Sequence, residues 1–150
     1  MCQRPDLGRM KPPPQRWPRH TFNLLTGLAA CMCCTTAWSC DKWMLMLGTL
    51  CHITTLCFHG SHCVRGWEQW ADRVVMKYDV AVVITIGTSA MVKTTDDIRL
   101  NVIALHALVF SLWLLTFGPL KGLPFNPIQS VIHLVGSLIH VYAASPVCWA

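Results

Sequence analysis

The stretch that decides the fold is Ile98–Phe117, IRLNVIALHALVFSLWLLTF, followed after a short connector by Pro127–Ala144, PIQSVIHLVGSLIHVYAA. The first run has no charge after Arg99, and the second has none. At about 1.5 Å of rise per residue, a helix of some 20 residues crosses about 30 Å of hydrocarbon. The connector GPLKGLPFN contains two prolines, which lack the amide hydrogen that a continuing helix needs. This pattern predicts a membrane helical hairpin, with Asn126 as the N-cap of its second helix.

Composition extends this interpretation to the whole chain. Of its 150 residues, 53% are hydrophobic and 13% are charged. A soluble domain carries about twice that share of charged residues, so we predict an all-α, polytopic membrane protein with four to five membrane helices. No cleavable signal peptide is evident, because residues 1–20 are basic and proline-rich. We expect residues 1–20 to form a disordered cytosolic tail.

Four further regions follow the tail. Residues 21–58 are apolar and cysteine-rich, and are interrupted at Asp41-Lys42, which predicts a helical hairpin or one span with an interfacial helix. Residues 59–77 are polar with two tryptophans, typical of an amphipathic connector at the headgroup level. We predict three membrane helices in residues 78–145. Residues 146–150 are expected to form a short tail. Residues 79–92 are rich in β-branched side chains but are predicted to be helical, because a lone strand cannot satisfy its backbone in lipid.

The basic residues predict the orientation. With five spans, the N-terminal tail, the 59–78 loop and Lys121 lie on the cytosolic side, and Lys93 lies outside beside two aspartates. The tail after the last helix has no basic residue and lies outside. This distribution agrees with the excess of Lys and Arg in cytosolic loops of membrane proteins.

The nine cysteines do not indicate a secreted disulfide framework. Their number is odd, and most lie in or beside apolar runs, where a thiol behaves as a small hydrophobic group. We expect this role for Cys31, Cys33, Cys34, Cys40, Cys51 and Cys57.

One local cluster of possible metal ligands follows the second apolar run. It consists of Cys57, His59, His62 and Cys63. Zinc sites usually combine two separated pairs of ligands, whereas this cluster offers one arm, so a polar turn at the membrane edge is favoured over a metal site. Cys57 and Cys63 are also candidate palmitoylation sites because of their position at that edge.

Histidines within the apolar runs are a second candidate site. His133 and His140 are seven residues apart and therefore share a helix face with Gly136 and Ser137. The favoured interpretation is a packing seam with interhelical hydrogen bonds. The alternative is haem ligation in a membrane electron-transfer subunit, with ligands drawn from His52, His106, His133 and His140.

Enzymatic motifs are not evident in the sequence. It contains no P-loop, no glycine-rich dinucleotide turn, no H-E-x-x-H and no G-x-S-x-G. Asp96 and Asp97 are adjacent in a linker and are interpreted as charges at a helix start. We therefore predict no catalysis, no cofactor, no nucleic-acid partner and no small-molecule substrate.

The hairpin resembles the transmembrane protein 107 family. The matching motifs are D-I-R-L at 97–100, F-N-P-I-Q-S-V-I at 125–132, the valine-rich run at 81–85 and Cys148-Trp149. The resemblance covers residues 74–149. The chain departs from the family in its five-residue first loop, in the absence of a fourth helix after Trp149, and in residues 1–70, which have no counterpart there.

The resemblance implies a non-enzymatic scaffold in the membrane of the ciliary transition zone. Such a protein acts in cilium assembly and in control of ciliary membrane composition. Its partners would be the lipid bilayer and other membrane proteins of the Meckel-syndrome module. The matching motif positions, which physically start a helix, are Phe125, Asn126, Gln129 and Ser130. A small accessory subunit of a larger membrane complex is a further alternative.

Overall fold

The described part of the chain is almost entirely helical. A computed structural model describes residues 17–63, 74–117 and 125–150, with side chains at 21–61, 74–115 and 128–150. It contains five helices and, in those ranges, no strand. The helices are α1 (Trp17–Ala37), α2 (Lys42–Cys63), α3 (Met76–Lys93), α4 (Asp96–Phe117) and α5 (Phe125–Cys148). This confirms the all-α prediction.

Several predicted boundaries differ from the observed ones. Helix α1 begins at Trp17, inside the predicted tail, and residues 1–16 lie outside the described residues. Helix α2 continues to Cys63 instead of ending at Phe58, because tertiary packing, as of the buried His59 against His133, stabilises the added turn. Of the rest of the predicted connector, residues 64–73 lie outside the described residues, and Met76 and Lys77 belong to α3.

The start of α5 differs from the predicted N-cap. The helix begins at Phe125, so Asn126 lies in its first turn and Pro127 follows in that turn. Proline is tolerated there because first-turn amides have no partner inside the helix. The helix also continues through Pro146 to Cys148, where a tail was predicted.

Helix α2 has a clear N-terminal cap at the turn that precedes it. The Oδ1 atom of Asp41 accepts a hydrogen bond of 2.9 Å from the backbone amide of Met44. The same carboxylate pairs with Lys93 at the end of α3, with 2.6 Å between Nζ and Oδ2. Partial burial disfavours ionisation of Asp41, but the hydrogen bonds from Lys93 and Met44 outweigh it and hold its pKa below the ordinary value.

A hydrophobic core forms where the α1–α2 turn, the α3–α4 turn and the end of α5 meet. Trp38 and Met44 are fully buried, and small residues from three helices surround them. Small side chains allow helix backbones to approach closely. The buried members of this cluster are Ala37, Trp38, Met44, Leu47, Ile86, Ala90, Val102, Ile139, Ala143 and Ala144.

The same end of the molecule carries a disulfide bond. Cys40, in the α1–α2 turn, is bonded to Cys148 at the end of α5, with 5.5 Å between the Cα atoms. The expectation that Cys40 acts only as a small hydrophobic group was therefore wrong. The pairing has no local signal in the sequence because 108 residues separate the two cysteines. Thr94 of the α3–α4 turn also donates a hydrogen bond of 2.9 Å to the Ala143 carbonyl.

Within the described residues, two helices are long and apolar enough to cross a membrane. These candidate spans are Asp96–Leu115 and Ile128–Cys148. Only 6% of the first span and 28% of the second is buried against other parts of the protein. The described part of the chain thus has two candidate membrane helices by length and composition, and the four to five spans expected from the sequence stay a prediction.

Candidate functional site

A line of polar side chains runs along the buried face of α5, and we call it the α5 seam. It consists of Gln129, Ser130, His133, Ser137 and His140. All but His133 are buried, and His133 is half-buried. Polar groups on an otherwise apolar helix turn toward protein because lipid offers them no hydrogen-bond partner.

The first part of the seam is a hydrogen-bonded network between α1 and α5. The amide nitrogen of Asn23 donates to Oε1 of Gln129 over 3.2 Å. The hydroxyl of Ser130 donates to Oδ1 of Asn23 over 2.8 Å. Asn23 is 1% exposed. Because a buried polar group without a hydrogen-bond partner is costly, these two bonds offset the cost of burying the three side chains. The network thus fixes the register of α1 against α5.

The next turn brings α1, α2 and α5 close together at a glycine. A Cβ atom on Gly27 would lie 2.8 Å from Cγ2 of Thr55 and 3.3 Å from Cε1 of His133. The hydroxyl of Thr26 lies 3.4 Å from Nδ1 of His133. The His133 ring also contacts His59 of α2 edge to face, with 5.5 Å between centroids. Gly27 is therefore required for this close approach.

A second pair of histidines lies nearer the disulfide. His106 of α4 and His140 of α5 contact edge to face, with 5.3 Å between ring centroids. Nδ1 of His106 is 2.9 Å from the Val102 carbonyl. Nε2 of His106 and Nδ1 of His140 are buried and have no hydrogen-bond partner among the described residues.

The packing of these pairs does not support the haem interpretation. Two axial ligands of one haem lie on opposite faces of the macrocycle with iron between their nitrogens. Rings in direct edge-to-face contact leave no space for a macrocycle, and this holds for both histidine pairs. His52 belongs to neither pair, and its Nδ1 lies 2.8 Å from the Gly48 carbonyl.

The candidate metal cluster is only partly described. Cys57 is exposed and His59 is buried against His133, so these two side chains do not face the same environment. The side chains of His62 and Cys63 lie outside the described residues. Among the described side chains, no group of three or more His, Cys, Asp or Glu residues is arranged to hold a metal ion.

The helix-start motif divides into two parts. Gln129 and Ser130 are buried and bind Asn23. They therefore connect α5 to α1, in addition to lying near the start of α5. Phe125 and Asn126 lie in the first turn of α5, but their side chains lie outside the described residues.

A cavity of about 420 Å³ lies between α3 and α4, and we call it the α3–α4 groove. Residues of α5 complete its wall. The lining is mostly aliphatic and aromatic. Its polar side chains are Asp79, Thr88, His106, Gln129 and His133, and Trp113 adds an indole nitrogen. Its volume falls within the range of about 300–1,000 Å³ typical of small-molecule sites.

Two components of these sites were missed in the sequence. Asn23 was counted as part of an apolar run, although a lone amide in such a run is itself a signal of interhelical bonding. The contact of Asp79 with α2 was not predicted: its carboxylate accepts a hydrogen bond of 3.5 Å from the Thr55 hydroxyl. Both depend on contacts between helices that are distant in the sequence.

Comparison of the chain with protein-family models, curated proteins and solved structures finds no match. The resemblance of residues 74–149 to the transmembrane protein 107 family therefore stays a prediction.

Proposed function

We propose that this chain is a multi-pass membrane scaffold that acts through helix–helix and lipid contacts and has no catalysis of its own. One observation carries the proposal: polar groups are buried in the α5 seam while large apolar side chains face outward on all five helices. Leu25, Val92, Leu100 and Leu138 are 60–76% exposed. Soluble monomers rarely expose contiguous apolar surface of this extent. Lipid would cover it.

The charges at the two ends of the helices support five spans with the disulfide end outside. The disulfide end carries three acidic and three basic residues: Asp41, Asp96, Asp97, Lys42, Lys93 and Arg99. Two of its cations are paired, Lys93 with Asp41 and Arg99 with Asp96. The opposite end adjoins the basic N-terminal tail, and cytosolic ends carry such an excess of positive charge.

The Cys40–Cys148 bond supports the same orientation. Disulfides persist on the extracellular or lumenal side of membranes and are rare in the reducing cytosol. Both cysteines lie at the end that the charges assign to the outside. Two independent properties, charge and redox chemistry, thus agree on one topology.

We place this scaffold at the membrane of the ciliary transition zone, with other membrane proteins of that zone as partners. The support is the motif resemblance at 97–100 and 125–132. In this proposal, the buried Gln129 and Ser130 hold α1 to α5, and the exposed apolar faces bind lipid and partner helices.

The first test is membrane integration and topology. The tagged full chain should resist alkaline carbonate extraction. A glycosylation acceptor inserted between Thr95 and Asp96 should be modified, and one inserted between residues 68 and 69 should not. Extraction into the soluble fraction would overturn the membrane proposal, and the reverse glycosylation pattern would overturn the orientation.

The second test is localisation in ciliated cells beside a transition-zone marker. We expect a ring at the cilium base. The double variant Phe125→Ala/Asn126→Ala should lose the ring while remaining in membranes. A control variant on the same helix, Gly136→Ala, should keep it, because an added Cβ there meets nothing within 4 Å. Diffuse or mitochondrial signal for the unmodified chain would overturn the ciliary assignment.

A further inference from the structure

The α3–α4 groove has a carboxylate at one end and mostly apolar side chains along its length, with Thr88 and His106 as polar groups beside Gly87 near its middle. Asp79 and Gln129 lie within the first two turns of their helices, and Trp113 lies near the end of α4, so all three share the end proposed as cytosolic. From Asp79 to Met91 the α3 wall rises twelve residues, or about 18 Å. Val80, Val83 and Ile84 form this wall.

Asp79 provides a negative group at the polar end. Its Oδ1 atom accepts a hydrogen bond from the Thr55 hydroxyl at 3.5 Å. No basic side chain among the described residues lies within ion-pair distance of it. A carboxylate in a low-dielectric site gains strongly from a cation, because few water molecules screen the attraction. The polar end therefore suits a positively charged group.

Aromatic rings line the same end of the groove. Phe110 and Trp113 are stacked with 5.6 Å between ring centroids, and both belong to the lining. Aromatic faces attract ammonium groups, an effect that strengthens when the cation loses water. The carboxylate of Asp79 and these rings thus favour the same ligand charge.

We propose that the α3–α4 groove binds a single-chain amphiphilic amine, with its ammonium group at Asp79 and its alkyl chain along α3. Two features favour this lipid class over a phospholipid. The described lining contains no Lys or Arg to receive a phosphate, and the cavity is small for two acyl chains at about 420 Å³. The groove would receive this lipid from the bilayer, so the inference rests on the membrane arrangement proposed above.

The test uses the full chain in nanodiscs, after carbonate extraction has shown that the protein is integral. The probe is a photoactivatable sphingosine carrying a diazirine in its chain, with labelled peptides identified by mass spectrometry. We expect labelling within 80–91 or 103–113. Asp79→Asn should weaken binding at least tenfold, as expected for the loss of one partner of a buried charge pair, whereas Asp97→Asn, at an exposed site outside the groove, should bind like the unmodified chain.

Two further comparisons separate the amine from generic lipid binding. Val83→Trp should fill the groove and abolish labelling, while Val92→Trp, exposed on the same helix and outside the lining, should not. A fatty alcohol of equal chain length should compete at least tenfold more weakly than sphingosine. Equal competition by the alcohol or by phosphatidylethanolamine, unchanged binding by Asp79→Asn, or no labelling of the integral protein would each overturn the proposal. Failure of carbonate resistance would instead overturn the proposed function.

Discussion

At the scale of single residues, the buried amides and carboxylates decide how the helices fit together. Asn23 and Asp41 lie in very different surroundings, one almost fully buried between α1 and α5 and one in a turn. Asn23 binds Gln129 and Ser130 of α5, whereas Asp41 binds Met44 of α2 and Lys93 of α3. Their removal therefore leaves other groups unpaired, which costs more than the bond itself.

Replacement of Asn23 should destabilise the protein through the α5 seam. We expect Asn23→Leu to lower the free energy of unfolding by about 1–2 kcal/mol, the range for interhelical hydrogen bonds in model membrane peptides. Thermal unfolding in detergent would measure it. Asn101→Ala is the matched control, because Asn101 is exposed and its 3.5 Å contact with Tyr142 lies at the surface. Equal midpoints for the two variants would show that the network contributes no stability.

Replacement of Asp41 should have an effect that depends on pH. Asp41→Asn removes the Lys93 ion pair and weakens the cap of α2, which together cost about 1 kcal/mol at pH 7. Because the folded pKa of Asp41 is lowered, its contribution is complete above the ordinary pKa of 3.8 and is lost as the pH falls through the lowered value.

Unfolding midpoints of the unmodified and Asp41→Asn proteins should therefore differ at pH 7 and converge below pH 3.8. Asp97→Asn provides the control for loss of an exposed carboxylate. A difference that stays constant down to pH 3 would show that ionisation of Asp41 does not stabilise the fold.

At the scale of helices, the apolar runs predicted where α4 and α5 lie and that α4 ends at Phe117, but not that α5 continues to Cys148. The length and hydropathy of Ile98–Phe117 already indicate a span, since this property is local. The continuation of α2 through His59 and of α5 through Pro146 depends on tertiary packing, which supplies most helix stability. Likewise, the helical period predicts that His133 and His140 share a face of α5. It does not predict that they contact His59 and His106 on other helices.

Gly27 of α1 and Gly136 of α5 should respond differently to replacement by alanine. Gly27→Ala places a Cβ 2.8 Å from Thr55, so the helices must separate, and we expect a loss of about 1–3 kcal/mol. Gly136→Ala meets nothing within 4 Å, so it should be neutral or stabilise by about 0.5–1 kcal/mol through helix propensity. Thermal unfolding in detergent compares them. Equal destabilisation by both variants would contradict the close approach at Gly27.

At the scale of the whole molecule, contacts at the disulfide end join all five helices. The α1–α2 turn is bonded to α5 through Cys40–Cys148, and to α3 through Asp41–Lys93. The α3–α4 turn binds α5 through Thr94. None of these three contacts could be predicted from the sequence, because each joins residues that are 49 or more positions apart.

The disulfide should be detectable by counting thiols. Maleimide labelling of the denatured protein should increase after reduction, and Cys40→Ser should lower this increment by two thiols. Cys57→Ser should leave the increment unchanged, since Cys57 is a free thiol. Loss of the bond should also lower stability by about 2–4 kcal/mol. An increment unaffected by Cys40→Ser would show that Cys40 is not disulfide-bonded in the protein.

The 108-residue separation of Cys40 and Cys148 has a consequence for biosynthesis. At about 5–20 residues per second, a ribosome needs some 5–20 seconds between the two cysteines. In the proposed orientation, the Cys40 thiol stays unpaired in an oxidising lumen throughout that interval and is open to capture by oxidoreductases or by another nascent chain. We therefore expect cells with impaired thiol exchange to accumulate mixed disulfides through Cys40.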